Sequence, residues 1–315
     1  MPEEVAMREA YGKTLVELGK ENKDVVVLDA DLSKSTMTTF FAKEFPERFF
    51  DCGIAEQNMV GIAAGLASSG KIPFASTFAV FVPGRCFDQI RVSIASPRLN
   101  VKLVVTHGGI TVGEDGSSHQ AVEDLSLALS LPGFTVIVPA DAIETAQAVR
   151  TAASSTGPFY IRLARLKTPL VYKDDYRFKL GKAVMMRPGK DATIIAIGIM
   201  VASALEAADN LKKQGIDCGV LNISTLKPID EATIIKAATD TGAIVTAEEH
   251  LEHGGLGSIV SQIVVKHQPV PMEFVAIKDT YAESGKPAEL LEKYGLTAKD
   301  IEQAVHTVLK RKKKP

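Results

Sequence analysis

The chain has 315 residues, of which 46% are apolar and 23% charged, and its formal net charge is −2. This composition is that of a soluble globular protein with a sizeable core. The near-zero charge provides no global field that would draw in nucleic acid or anionic lipid. The length predicts about two domains. Three cysteines without metal-ligand spacing, Cys52, Cys86 and Cys218, point to a reducing compartment. No apolar run approaches membrane-spanning length, and Met1-Pro2-Glu3-Glu4 lacks the features of a secretory leader. The expectation is a cytoplasmic protein with no membrane or nucleic-acid partner. The one basic run, from Lys310 to Lys314, reads as a solvated C-terminus.

Helix and strand patterns alternate along the chain. Apolar positions at helical spacing predict a helix over 3–20, and Val25–Leu28 reads as a buried strand. A helix follows Glu56. Then come a strand at 73–76, a helix at 87–96, a strand at 101–106 and a helix at 120–129. A strand at 135–139, a helix at 143–153 and a strand at 159–163 complete the first set. Continuous apolar strands separated by amphipathic helices define the α/β class, with a mainly parallel sheet and helices on both faces.

Residues 166–190 break this pattern with Thr168-Pro169, Lys173-Asp174-Asp175 and Pro188-Gly189. They read as a linker with room for one short strand. Alternation resumes with strands at 192–199, 218–223, 243–247 and 272–275. The helices between and after them fall at 201–213, 230–238, 256–266 and 297–311. The expected division is a first domain over 1–167, a linker over 168–190 and a smaller second domain over 191–315.

Four stretches carry chemistry. In the first, Glu56 stands at the mouth of an apolar helix in which Gly61, Ala63, Ala64, Gly65 and Ala67 permit close approach. A carboxylate withdrawn from water there can pass protons near neutrality, while a bare helix terminus would use it only to complement the dipole. In the second, Phe78 and Phe81 follow a strand, three residues apart. They can be core rings or a surface that stacks on a planar heterocycle.

The third stretch runs from Thr106 to Gln120, with His107, His119, Glu114, Asp115 and four glycines. Adjacent Glu114 and Asp115 would diverge, which argues against a metal and for a polar pocket suited to a hydroxylated substrate. Its histidines would serve as hydrogen-bond donors and proton shuttles. Ser117 with Gln120 fits a capping box. In the fourth, Arg162 and Arg165 follow a strand and offer planar forks suited to phosphate or to an ion pair. Beyond these, the turn His253-Gly254-Gly255-Leu256-Gly257-Ser258 precedes a helix and could cradle a phosphate. Cys52 reads as a small buried hydrophobe.

Over residues 5–310 the chain resembles the C-terminal half of a transketolase, its pyrimidine-binding domain followed by its C-terminal domain. The resemblance rests on Ala30-Asp31-Leu32, Gly53-Ile54-Ala55-Glu56-Gln57-Asn58 and Ser76-Thr77-Phe78. It rests also on Gly113-Glu114-Asp115-Gly116 with Ser118-His119-Gln120, and on Ala282-Glu283-Ser284-Gly285 through Tyr294-Gly295-Leu296. The family uses thiamine diphosphate to move a two-carbon ketol unit from a ketose phosphate to an aldose phosphate.

The resemblance implies that Glu56 bonds the aminopyrimidine ring, that Phe81 stacks on it, and that Phe78, Asp31 and Leu32 line the same pocket. It implies that His107 and His119 contact donor and acceptor hydroxyls and that Asp115 reads the acceptor. Arg8, Ser35 and Arg165 would grip the sugar phosphate. The chain departs from the family in two ways. Gly84 stands where many members carry an aromatic, and no Gly-Asp-Gly motif occurs anywhere. The second departure implies a separate N-terminal subunit that holds the diphosphate and its Mg2+ or Ca2+, with no metal ligand on this chain. It also implies a homodimer of this chain within a heterotetramer. A deoxyxylulose-phosphate synthase, a 2-oxo acid dehydrogenase β subunit and a non-catalytic regulatory subunit are the alternatives. For the second domain the resemblance implies a structural and dimer-supporting role.

Overall fold

The computed structural model describes residues 3–312, so the expectation for Lys313, Lys314 and Pro315 lies outside the described residues. In chain order the strands are β1 (Glu4–Ala6), β2 (Val25–Asp29), β3 (Phe49–Asp51), β4 (Ile72–Ser76), β5 (Lys102–Val105), β6 (Thr135–Ile137) and β7 (Phe159–Arg162). Then follow β8 (Lys167–Pro169), β9 (Val184–Arg187), β10 (Ala192–Ala196), β11 (Cys218–Asn222), β12 (Thr225–Lys227), β13 (Ile244–Leu251) and β14 (Met272–Ile277).

The first unit is built on a sheet of order β12-β6-β7-β5-β4-β2-β3, and the second on a sheet of order β14-β13-β10-β11-β9. All pairs are parallel except β12 with β6 and β11 with β9. β2 is buried along its whole length, as a strand covered on both faces must be. A third, two-stranded sheet pairs β1 with β8. Among the described residues no helix is long and apolar enough to cross a membrane.

The helix Met7–Glu21 packs Tyr11 and Leu15 onto Phe41, Phe74 and Val104. It can lie that close because Gly19 has no side chain: a Cβ there would sit 2.5 Å from the Phe45 ring. On the other face the helix Glu56–Ser68 contributes Met59, Val60 and Ala63 to a core shared with Leu28, Ala75 and Leu103. Parallel strands deliver their carboxyl ends, and the loops that follow them, to one edge of the sheet.

Several elements differ from the sequence reading. The helix expected at 120–129 begins only at Asp124, because the Ala121 carbonyl is taken by the Gly109 N–H at 2.8 Å. The helix at 87–96 continues as π turns over Ile90–Ala95. The stretch read as a linker holds two strands, β8 and β9, and the first helix is preceded by β1. Strand β12 leaves the second unit to edge the first sheet, pairing Thr225 with Ile137. No local pattern announces such an exchange.

A buried polar knot joins the two units. Glu144, fully buried near the start of the helix Ala142–Ser154, accepts from Ala140 N (2.7 Å), Tyr176 Oη (2.7 Å), Ser224 Oγ (2.8 Å) and Asn222 Nδ2 (3.1 Å). Neighbouring Asp141 accepts from the backbone N–H groups of Val171 and Tyr172, both at 2.9 Å. Burial pushes the Glu144 carboxyl above its ordinary range, and the donors around it act in the opposite direction. Glu144→Ala would leave these donors buried without an acceptor. The expected loss is about 3 kcal/mol, read as a lower urea midpoint, with Glu144→Gln costing less because its amide oxygen still accepts. An unchanged midpoint in the alanine variant would contradict this.

Candidate active site

Glu56 is the first residue of its helix, reached through the Gly53 turn, whose φ of +67° favours glycine. Its side chain is 4% exposed, and Oε2 accepts from Arg85 Nη1 at 2.9 Å. Among the described residues no donor engages Oε1. One carboxylate, Asp51, accepts from the backbone N–H groups of both Gly53 (3.0 Å) and Asp31 (3.1 Å), so the Glu56 turn and the Asp31 turn are tied together.

Asp31 is exposed and takes φ +60°, while Leu32 is half-buried. Buried Asp29 shapes the next turn, accepting from Leu32 N (2.7 Å), Thr36 Oγ1 (2.7 Å) and Thr38 Oγ1 (2.8 Å). Burial pushes the Asp29 carboxyl up to about 6, opposed by those donors. The Ser35 carbonyl accepts from Arg8 Nη1 at 2.8 Å.

A run of flat groups leads away from Glu56. The Arg85 guanidinium lies over the Phe81 ring at 4.5 Å, and the Phe81 and Phe78 rings stack at 5.9 Å. Phe78 then stacks on His107 at 3.8 Å, and His119 meets Phe81 edge-on at 5.6 Å. Phe78 is buried and Phe81 half-buried. The two histidines, twelve residues apart in sequence, thus converge on one aromatic pair.

His107 is buried, takes φ +62°, and sets Nδ1 2.8 Å from Thr106 Oγ1. Burial pushes its imidazole down to about 3, helped by the charges of Arg8, Arg165 and His119. At neutral pH it is therefore a neutral hydrogen-bonding group, and the imidazolium form that a proton shuttle passes through is withheld from it. His119 is half-buried, its Nδ1 3.0 Å from Ser118 Oγ.

The two arginines of the fourth stretch part company. Arg162 is wholly internal, donating to Asp124 Oδ2 (2.9 Å) and to the carbonyls of Ala121 (2.9 Å) and Glu249 (3.0 Å), so it is no phosphate fork. Arg165 is half-exposed, donates to the Val112 carbonyl and lies 3.6 Å from Glu114. Arg8 is lowered by burial and by the Arg165 charge, so the two guanidiniums share one neighbourhood. Arg8 Nε is buried there without a partner. Two cations and an unsatisfied donor make a place for an anion. Asp115 is exposed on the same loop.

Three expectations are corrected. Ser117 caps no helix; the Gln120 side chain instead donates to the carbonyl of Glu283 at 3.0 Å. The 253–258 turn cradles no outside phosphate, because the Glu248 carboxylate already accepts from Leu256 N (2.7 Å) and Gly257 N (2.8 Å). Cys52 is half-buried, not buried. The sequence reading passed over Arg85, although its place four residues after Phe81, one helical turn on, was a legible signal. No cluster of three or more His, Cys, Asp or Glu able to hold a metal occurs among the described residues.

Fold and site together define a two-unit α/β protein whose first unit gathers a carboxylate, an aromatic pair and two histidines. The family model for the transketolase pyrimidine-binding domain matches residues 3–170, and that for the transketolase C-terminal domain matches residues 181–301. The chain is 46% identical to a protein of Methanocaldococcus jannaschii described as a transketolase C-terminal section, covering 97% of this chain and 96% of the relative. It is 43% identical to a 6-deoxy-6-sulfo-D-fructose transketolase subunit of a Clostridium species, covering 98% and 96%. A split-gene transketolase, solved as an inactive β4 tetramer, superposes with a TM-score of 0.92 and 54% identity over 98% of this chain and 100% of that one. The chain belongs to the transketolase family and corresponds to its C-terminal section.

A His107 pushed down to about 3 should not titrate between pH 5 and 8. In a 13C NMR titration of imidazole-labelled protein its Cε1 shift stays at the neutral value across that range. A midpoint near 6.5 would contradict the burial argument.

Proposed function

We propose that this chain is the C-terminal subunit of a two-chain transketolase that moves a two-carbon ketol unit from a ketose phosphate to an aldose phosphate. The observation that carries the reading is the continuity from Glu56 through Arg85, Phe81 and Phe78 to His107 and His119, with Arg8 and Arg165 close to His107. The residues fit half of a thiamine diphosphate site. Glu56 has a carboxylate oxygen without an internal partner, Phe81 is a half-buried ring, and open space surrounds Gly53 and Gly84.

When bound, thiamine diphosphate supplies the carbon nucleophile for making and breaking a bond beside a carbonyl. Glu56 holds and returns a proton at a nitrogen of its aminopyrimidine ring. Phe81 stacks on that ring, and Phe78 and Leu32 wall the pocket. His107, neutral, and His119 hydrogen-bond the sugar hydroxyls, with Asp115 and Asp31 at the rim. Arg8, with Ser35 fixing it, and Arg165 hold the phosphate.

The diphosphate and its Mg2+ or Ca2+ are assigned to an N-terminal partner subunit, since this chain lacks the Gly-Asp-Gly motif. The active assembly is then a heterotetramer built on a homodimer of this chain. Two relatives are described as transketolase subunits for 6-deoxy-6-sulfo-D-fructose and for apulose 4-phosphate, both sugars with an anionic group. That accords with an arginine pair reading an anion, here a phosphate.

The test is reconstitution with the N-terminal subunit, thiamine diphosphate and magnesium. Sugar-phosphate turnover without release of carbon dioxide is expected, and none from this chain alone. Glu56→Gln should lower kcat by roughly 10²-fold or more. Undiminished activity in that variant would rule out the catalytic reading and favour a regulatory subunit; carbon dioxide release would favour the synthase or dehydrogenase alternatives.

A further inference from the structure

The loop that carries the two histidines is closed on itself. It leaves β5 at Thr106, and both Gly108 and Gly109 form bridges with Ala121 at its far end. Gly108 N–H donates to the Leu163 carbonyl at 3.1 Å. Inside this ring the backbone turns sharply at Gly109, where φ is +85°. Within the first unit the turn is held by the Gly109 N–H on the Ala121 carbonyl (2.8 Å) and the Gly113 N–H on the Ile110 carbonyl (3.1 Å), but the Thr111 N–H finds its acceptor outside that unit.

The support comes from the second unit. Glu249, on β13, is 4% exposed and presses its carboxylate against the α-carbon of Gly109; a Cβ there would lie 2.1 Å from the carboxylate carbon. Its Oε1 accepts from Thr111 N at 2.7 Å. Its own carbonyl accepts from Arg162, the guanidinium that also grips Ala121. Other second-unit groups touch the same loop. The Glu283 carbonyl accepts from Gln120, Leu251 N donates to the Val122 carbonyl, and Ser284 abuts Gly116.

We propose that Glu249 is a positioning residue for the histidine loop: its carboxylate fixes the 109–111 backbone and, through it, the approach of His107 and His119 to the Phe78–Phe81 pair. This rests on the transketolase reading above. It gives the second unit a part in the chemistry beyond structural support. Glu249 lies away from solvent and acts only through the loop. Burial pushes its carboxyl up to about 7, so an acid is kept where an apolar residue would be easier to bury. A static hydrogen-bond acceptor accounts for that. The amide it engages belongs to a loop whose misplacement by an ångström would cost the reaction heavily.

Three variants and a control separate this from a purely structural role. Glu249→Ala and Glu249→Asp both withdraw the acceptor from Thr111 N; the aspartate keeps the charge and reports if the alanine variant fails to fold. Glu249→Gln keeps an acceptor oxygen. Val305→Ala, in the buried face of the helix Ala298–Arg311, destabilises the second unit without touching the loop. In the isolated chain, hydrogen exchange at Thr111 should quicken at least about tenfold in the aspartate variant and be unchanged in the glutamine and control variants. In the reconstituted enzyme the aspartate variant should lose about 10²-fold in kcat with less change in KM. The glutamine variant should recover to within about tenfold of wild type, and the control should keep its kcat.

Unchanged Thr111 exchange in the aspartate variant overturns the proposal, as does a kcat loss in Val305→Ala that matches it. A wild-type holoenzyme with no ketol transfer sinks the parent reading alone, since the exchange measurement needs no activity.

Discussion

One buried guanidinium holds the working edge of this molecule together. Arg162, at the end of β7, spends its donors on Asp124 and on the carbonyls of Ala121 and Glu249. These partners belong to the end of the histidine loop, the helix that follows it and the second unit. A buried cation of this kind is tolerable only when its donors are met, and removing one partner of such a pair costs about 3–5 kcal/mol. The loop's closure, the seating of β13 and the depth of Asp124 are therefore one event. The glycines around it follow from the same crowding: a Cβ on Gly108 would lie 2.6 Å from Arg162.

The site at that edge is half polar scaffold and half open surface. Two carboxylates, buried Asp29 and exposed Asp51, bond backbone N–H groups and so shape the turns. Other groups at that edge keep unused capacity: one oxygen of Glu56, and the neighbouring Arg8 and Arg165. Burial and the nearby Arg165 charge lower Arg8, and an anion between the two guanidiniums would relieve that like-charge contact. Arg8 Nε is left without a partner there. In the proposed function the metal–diphosphate falls to a second polypeptide.

Much of the fold was legible because parallel α/β units write their strands as short apolar runs and their helices at a 3.6-residue period. Val25–Leu28 and the helix from Glu56 are examples that the structure reproduces. Legibility failed where a distant group overrode local preference. Residues 120–123 have helical character, yet Gly109 captures the Ala121 carbonyl and the helix waits until Asp124. The glycine turn after His253 has the composition of an anion cradle, but Glu248 reaches it first. β12 crosses to the first sheet because an edge at β6 needed covering, and no segment's own pattern records a neighbour's open edge.

The sequence by itself determined the class of fold, the family and the residue types that gather at the site, since each lies in a short motif whose chemistry is local. Glu56, the phenylalanine pair and the two histidines were all readable in that way. Tertiary structure alone decided which charges are free to act. Arg162 and Arg165 are alike in sequence, three residues apart after one strand, but only packing against Asp124 and Glu249 consumes the first and leaves the second at the surface. Likewise the depth of His107 strips it of a charge its residue type would permit. Desolvation is a property of what surrounds a group in space, and the surroundings come from parts of the chain far away in sequence.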